Sequence, residues 1–271
     1  MRRYYDPNKK ALVYIQSSAT PEMWDAHWSI TDEDKARLAL IPPQKLNFVA
    51  SITRRYLTPE DGLILEGGCG TGNHVVALTS AGYQALGIDF APQTVAMLNK
   101  VAPHLDIRVG DVRSLPLSDQ SVAGYWSLGV IEHFYSGYDS ISHEMRRVIK
   151  SGGYLFLTHP YMSPLRKLKR LLRLFDYQSL PSEPSDFYQF ALDHQQTIMN
   201  FCQLGFSLCE VCPSAGLKGF KDELPSFFKS PLQKLYDYSG KSILVRGLRY
   251  ILDKVLSPLC GHSCLIVFRR H

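Results

Sequence analysis

The stretch Leu63-Ile64-Leu65-Glu66-Gly67-Gly68-Cys69-Gly70-Thr71-Gly72-Asn73 decides how the chain is read. Three apolar residues mark the end of a buried strand. An acidic residue and a run of glycines follow, and a helical pattern starts at Asn73 with His74, Val75, Val76, Ala77 and Leu78. This is a strand–Gly loop–helix unit, which sets a tight backbone turn and a helix N-terminus at one edge of a sheet. Glycine serves there because it adopts positive φ and has no Cβ to hold a ligand off the backbone.

Working outward, the chain alternates strands and helices. Strands are expected at 62–66, 83–89, 106–110, 121–127 and 153–158. Helices are expected at 73–81, from Pro92 through Val101, and at 139–149. This βαβα order implies a doubly wound, mostly parallel sheet. Residues 160–200 read as an insertion rich in basic, aromatic and proline residues. A helix over 191–204, a strand at 206–211, a second insertion at about 214–258 and a closing strand at 263–268 complete the chain. Before the loop, Pro21–Trp28 reads as a helix with Trp24 and Trp28 on one face. That face either packs on the main domain or closes over a pocket as a lid. Thr31 with Asp34 is expected to start a second helix through Leu40, Pro42 and Pro43 punctuate, and 44–57 has helical spacing. The expected division is an N-terminal helical region or lid over 1–58 and one α/β domain over 59–271.

Composition is that of an ordinary globular protein. The net charge of +5 is modest for a polyanion partner, which argues against nucleic acid. No apolar run approaches a membrane span, and the start has no apolar leader core, so a cytoplasmic setting with thiol cysteines is expected. Cys209-x2-Cys212 and Cys260-x3-Cys264 invite a zinc reading. Cys209 and Cys264 fall in strand patterns, however, where thiols pack as apolar residues, so no metal is assigned.

The glycine spacing separates two loop types. A dinucleotide fingerprint counted from Gly68 and Gly70 needs a third glycine at position 73, which is Asn73. The stretch reads E-x-G-x-G-x-G instead, and it resembles motif I of the class I S-adenosylmethionine (SAM)-dependent methyltransferases, in the small-molecule, type 11-like branch. The resemblance covers about 62–160. It implies a Rossmann-like seven-stranded sheet whose last strand is antiparallel, and SAM as the cofactor. It also implies that Glu66, Gly67, Gly68, Gly70 and Gly72 cradle the methionine part and that Asp89 receives the ribose hydroxyls. Asp111 and Val112 then meet the adenine, Phe90 packs on its face, and Ser127 borders the crevice. An acidic Glu66 suits a ligand carrying an ammonium group. Carboxylates closing three successive strands repel one another, so stability alone does not explain them.

On the substrate side, Gly129-Val130-Ile131-Glu132-His133-Phe134-Tyr135 follows the fourth strand. Similar Glu-His pairs recur in small-molecule N- and O-methyltransferases. His133 is either a base or a loop-orienting residue, with Glu132 beside it and His159 as a second candidate. Residues 164–175 read as a basic amphipathic helix. Leu165, Leu168, Leu172 and Phe175 form one face, and Arg166, Lys167, Lys169, Arg170 and Arg173 the rest. Two uses are open: a lid with a solvated charged face, or contact with a membrane or anionic lipid. Tyr4, Tyr5, Trp24, Trp28, Tyr161 and Tyr177 are candidates for an aromatic pocket.

The expected activity is therefore methyl transfer to oxygen or nitrogen of a small molecule, lipid-linked or anionic among the options. A catalytically silent SAM-binding regulatory or scaffold module and a nicotinamide-dependent reductase are the alternatives. The reductase fails on glycine spacing.

Overall fold

A computed structural model describes residues 2–16, 19–28 and 47–271. The expected helix through Leu40, the Pro42-Pro43 break and the start of the 44–57 helix lie outside the described residues. From Asn47 the chain enters α2 (Phe48–Thr53), preceded by α1 (Pro21–His27).

Among the described residues, the central sheet has seven strands. They are β3 (Ile64–Gly67), β4 (Ala85–Asp89), β5 (Asp106–Val109), β6 (Val122–Leu128), β7 (Ile149–Pro160), β9 (Phe206–Ser214) and β10 (Ser263–Arg270). Their order is β5-β4-β3-β6-β7-β10-β9, with β10 antiparallel to both neighbours. Alternation along each strand feeds two cores. Ile64, Trp126, Phe156 and Val267 point to one face, and Leu65, Tyr125, Leu155 and Ile266 to the other. The first core is closed by α3 (Asn73–Ser80) and α4 (Pro92–Val101) through Val75, Leu78, Val95 and Leu98. The second is closed by α5 (Asp139–Val148) and α7 (His194–Gln203) through Ile141, Met145 and Phe201. Helices on both faces make the sheet doubly wound, as the sequence implies. Chain order reverses between β3 and β6, so the ligand crevice belongs at their carboxyl ends.

The N-terminal segment departs from expectation. Residues 2–15 are not helical. They form a hairpin of β1 (Arg2–Asp6) and β2 (Ala11–Ile15), and β2 also pairs with β8 (Phe187–Ala191) from the 160–200 insertion. The Asp6 carboxylate accepts from the Asn8 and Lys9 amides and so builds the turn. This small sheet buries Tyr4, Val13, Phe187 and Phe190 against Tyr135.

The second insertion is helical: α8 (Gly216–Glu223), α9 (Ser226–Tyr236) and α10 (Ile243–Cys260). Glu223 of α8 joins three parts of the chain. It pairs with Arg3 of β1 at 2.6 Å, and with Arg166 and Lys169 of α6 (Pro164–Leu171) at 2.9 Å each. Burial would raise its pKa, but hydrogen bonds from Arg3 and the charges of Arg166 and Arg3 hold it down to about 2. Here the expected amphipathicity of α6 is inverted. Arg166 is fully buried and Lys169 turns onto Glu223, while Leu168, Leu171 and Leu172 are exposed. A carboxylate 57 positions after Arg166 causes the inversion. The helix also ends at Leu171, with Arg173 in the left-handed region, and Phe175 lies buried beneath Arg3.

Glu223→Ala leaves these cations facing one another without their anion. It is expected to cost about 3–5 kcal/mol in urea unfolding at neutral pH. Because the Glu223 pKa is depressed, that contribution is present above the ordinary carboxylate range and is lost as pH falls toward about 2. The gap between wild type and variant should therefore narrow in acid.

Candidate active site

The loop after β3 has the backbone its glycines permit. Gly68, Gly70 and Gly72 all have positive φ, at 76°, 48° and 70°. A side chain at Gly70 would be strained and would also strike the Trp28 ring, with a Cβ only 2.9 Å from it. The loop delivers the chain into α3.

Glu66, on β3, is almost fully buried. It accepts from the Val75 amide at the start of α3, and its Oε2 meets no hydrogen-bond partner among the described residues. Burial, then the nearby Asp89 charge, raises its pKa well above the usual carboxylate range. Asp89 closes β4. Its Oδ2 accepts from the Gly70 amide at 2.7 Å and its Oδ1 from the Ala91 amide at 3.0 Å. Burial raises its pKa, and these amides oppose the rise. Two buried carboxyl groups thus face each other across the glycine loop with lone pairs to spare. Ser127 sits beside Gly67 in the β3–β6 register, and its buried hydroxyl is likewise unpartnered among the described residues.

The third carboxylate is engaged locally. Asp111 is held by Arg113 in a two-pronged pair, closest at 2.6 Å, and is partly exposed. A local pairing with the residue two positions on competes with convergence, and spacing alone does not reveal it. Phe90 is half-buried and stands outside the core clusters, while Val112 is buried in the second core.

The turn after β6 carries Ile131–His133 as a single 3-10 turn. His133 Nδ1 lies 2.7 Å from the carbonyl oxygen of Tyr188 on β8. A carbonyl only accepts, so Nδ1 carries the proton and Nε2 is left as the acceptor. Burial lowers the His133 pKa to about 4, against the Tyr188 bond that raises it. Tyr188 thereby fixes the histidine tautomer, a role the sequence did not signal because it lies 55 positions away.

Glu132 is buried, with Oε2 unpartnered among the described residues, and burial raises its pKa to about 8. A raised carboxyl pKa favours folding below the ordinary value of 4.5, and this contribution is lost as pH rises through about 8. Glu132→Gln is expected to stabilise the protein at pH 9 by about 2–5 kcal/mol and to leave pH 4 stability unchanged, as read by thermal unfolding across pH.

His159 is fully buried at the end of β7, paired in register with Cys264. Its Nδ1 contacts the Pro160 carbonyl, burial lowers its pKa to about 4, and its charged neighbours are His194 and Asp193. The structure therefore places it by the start of α7, apart from His133.

Helix α1 spans the two halves of the site. The Asp25 carboxylate accepts from the Thr94 amide and hydroxyl at 2.8 Å each, which caps α4. Trp28 lies on Gly70, Trp24 stacks on Trp28 at 5.6 Å, and Trp24 meets the His133 ring edge-on at 5.0 Å. The helix buries none of its residues, so its tryptophans cover the crevice instead of filling a core. The proposed aromatic set divides. Tyr5 meets Tyr177, Trp24 meets Trp28, and Tyr161 is buried in the second core.

Comparison with known proteins agrees with this geometry. The family model described as "Methyltransferase domain" matches residues 65–157, from Leu65 on β3 to Leu157 on β7. The matched stretch, about a third of the chain, is similar to class I methyltransferase domains of the type 11 branch. A protein of Mycolicibacterium smegmatis named as a probable S-adenosylmethionine-dependent methyltransferase is 34% identical over 97 residues. That match covers 36% of this chain and spans only 37% of the relative's length. An uncharacterised methyltransferase-like protein of Schizosaccharomyces pombe is 26% identical over 189 residues, covering 66% of this chain and 70% of that one. Among solved structures, a SAM-dependent methyltransferase from Archaeoglobus fulgidus superposes with a TM-score of 0.53 at 15% identity. It covers 81% of this chain and 92% of that chain, and at this identity the likeness concerns the fold.

The cofactor of a methyltransferase domain of this branch is SAM. The residues present fit it. The unpartnered Glu66 oxygen matches an ammonium group, and the glycine loop lets a ligand approach the backbone. The spare lone pairs of Asp89 match hydroxyl donors.

Proposed function

We propose that the protein transfers a methyl group to an oxygen or nitrogen of a small-molecule acceptor, lipid-linked or anionic, with His133 as the base. The observation that carries this reading is the pairing of a SAM-suited carboxyl cradle with a histidine of fixed tautomer under one helix. Glu66 and the loop hold the amino-acid end of the cofactor, and Asp89 holds its ribose. The cofactor supplies an electrophilic methyl group. The chain's own part is to orient the acceptor, exclude water and accept a proton. His133 Nε2 takes the proton from the acceptor O–H or N–H, and Tyr188 keeps the other ring nitrogen protonated throughout. A histidine with its pKa lowered to about 4 is neutral, and so able to accept, across the physiological range. Trp24 and Trp28 close the site against solvent. The exposed leucines of α6, with the exposed Arg170 beside them, support an acceptor presented at a lipid surface.

The test is calorimetry with SAM, followed by a screen of alcohols, phenols, amines and carboxylates for S-adenosylhomocysteine release. Binding with turnover supports the reading. Binding without turnover on any class supports the silent module instead. Binding of a nicotinamide dinucleotide in place of SAM would reject both.

A further inference from the structure

Helix α10 is turned inside out. Its 18 residues present Leu244, Leu248, Ile251, Val255 and Leu259 along one stripe, at helical spacings of four, three, four and four. These side chains are 51–85% exposed. The stripe runs about 22 Å. The side facing the protein is small and polar instead. Ser257 and Cys260 are buried there, and the Asp253 carboxylate accepts from the Leu217 amide. Gly216 and Gly219 of α8 let that side approach backbone to backbone. A Cβ at Gly216 would stand 2.3 Å from the Ser257 nitrogen. The close contact explains why the polar side faces inward, and it leaves the apolar stripe without a partner among the described residues.

The surroundings of the stripe are basic. Residues 226–260 hold Lys229, Lys234, Lys241, Arg246, Arg249 and Lys254 against Asp237 and Asp253. A cleft of about 630 Å³ between α8, α9 and α10 is lined by Leu217, Tyr236, Arg246, Arg249, Tyr250 and Asp253. Arg249 is tied to the Tyr236 and Tyr238 carbonyls. The exposed Arg246 belongs to the same cleft, on the side of α10 that carries Asp253, whereas the exposed Lys254 borders the stripe. Helix α6, with Leu168, Leu171 and Leu172 exposed and Lys167 and Arg170 beside them, packs against α10. No helix among the described residues is long and apolar enough to cross a membrane.

We propose that α10 lies in the surface of an anionic phospholipid bilayer, its leucine–isoleucine stripe among the acyl chains and the exposed Lys254, which borders Ile251 and Val255, at the headgroups. An exposed apolar stripe bordered by Lys254, on an insertion that carries more cations than carboxylates, fits an interface that is greasy below and negative above. A second copy of this chain would cover the stripe equally well but would bring Lys254 against its own copy across two net basic insertions. The inference stands apart from the methyl-transfer reading and from any property of the glycine loop.

The experiment is co-sedimentation of the full chain with vesicles of phosphatidylcholine alone or with 30 mol% phosphatidylglycerol, at about 50 and 500 mM salt. The wild type is expected to pellet with the anionic vesicles at low salt, at least ten-fold more than with neutral ones. The variant Leu248→Glu/Ile251→Glu/Val255→Glu is expected to lose at least 90% of that binding, and Lys254→Glu part of its salt-sensitive component. These side chains face outward, so SAM affinity by calorimetry reports whether each variant is folded. A wild type that stays in the supernatant with both vesicle types overturns the proposal. So does a dimer in sedimentation velocity that the triple variant dissociates while vesicle binding persists unchanged.

Discussion

Glu66→Gln is expected to weaken SAM binding about 100-fold and, in the same protein without cofactor, to raise its thermal stability. Both effects follow from one buried oxygen. Oε2 of Glu66 has no partner among the described residues, so in the free protein the carboxyl is burdened by burial. Its raised pKa means that the stability it contributes is present below the ordinary carboxylate range and is lost as pH rises. Glutamine keeps an acceptor for the Val75 amide and removes the cost of burying an ionisable group. When the ammonium group arrives, the balance reverses. The carboxylate gains a charged partner at low dielectric, whereas glutamine leaves that ammonium buried without its anion. Removing one member of a buried pair costs about 3–5 kcal/mol, and 2.7 kcal/mol already corresponds to about 100-fold in affinity. Binding should also release a proton from Glu66. Calorimetry in two buffers of different ionisation enthalpy reads this directly, and the release should vanish in the glutamine variant.

His133→Ala is expected to lower turnover by about 100-fold or more with SAM affinity unchanged. General base catalysis typically contributes that much, and the ring stands in the turn after β6, separate from the groups assigned to the cofactor. The pH profile distinguishes a base from a spacer. With the His133 pKa held near 4 by burial, the acid limb of turnover should fall near pH 4 instead of near the usual histidine value. Changing Tyr188 does not remove its main-chain carbonyl, so Tyr188→Phe should leave that limb in place. If His133→Ala retains full turnover, the histidine only orients the loop.

Most of the central sheet was legible because its strands are apolar runs punctuated by Gly, Pro and Asp, and each obeys local rules. The glycine loop, Glu66 and Asp89 were legible for the same reason: strand ends in a parallel sheet share one edge. The β1–β2 hairpin was missed although its signal is local. Tyr4 and Tyr5 precede the turn residues Asp6-Pro7-Asn8, and the five-residue run Ala11–Ile15 follows them. Other features depended on distant partners. Pairing of β2 with β8 links residues about 175 positions apart, the inversion of α6 depends on Glu223, and the His133 tautomer depends on Tyr188. Asp111 shows the converse. Its position was read correctly as a strand end, yet Arg113 claims its carboxylate.

The most direct measurement is a crystal structure of the protein with S-adenosylhomocysteine bound. The account predicts the amino group within hydrogen-bond distance of Glu66 Oε2, the ribose hydroxyls on Asp89, and the sulfur on the side of the crevice where His133 stands. A ligand bound elsewhere, or one whose amino group leaves Glu66 Oε2 unpartnered, would contradict it.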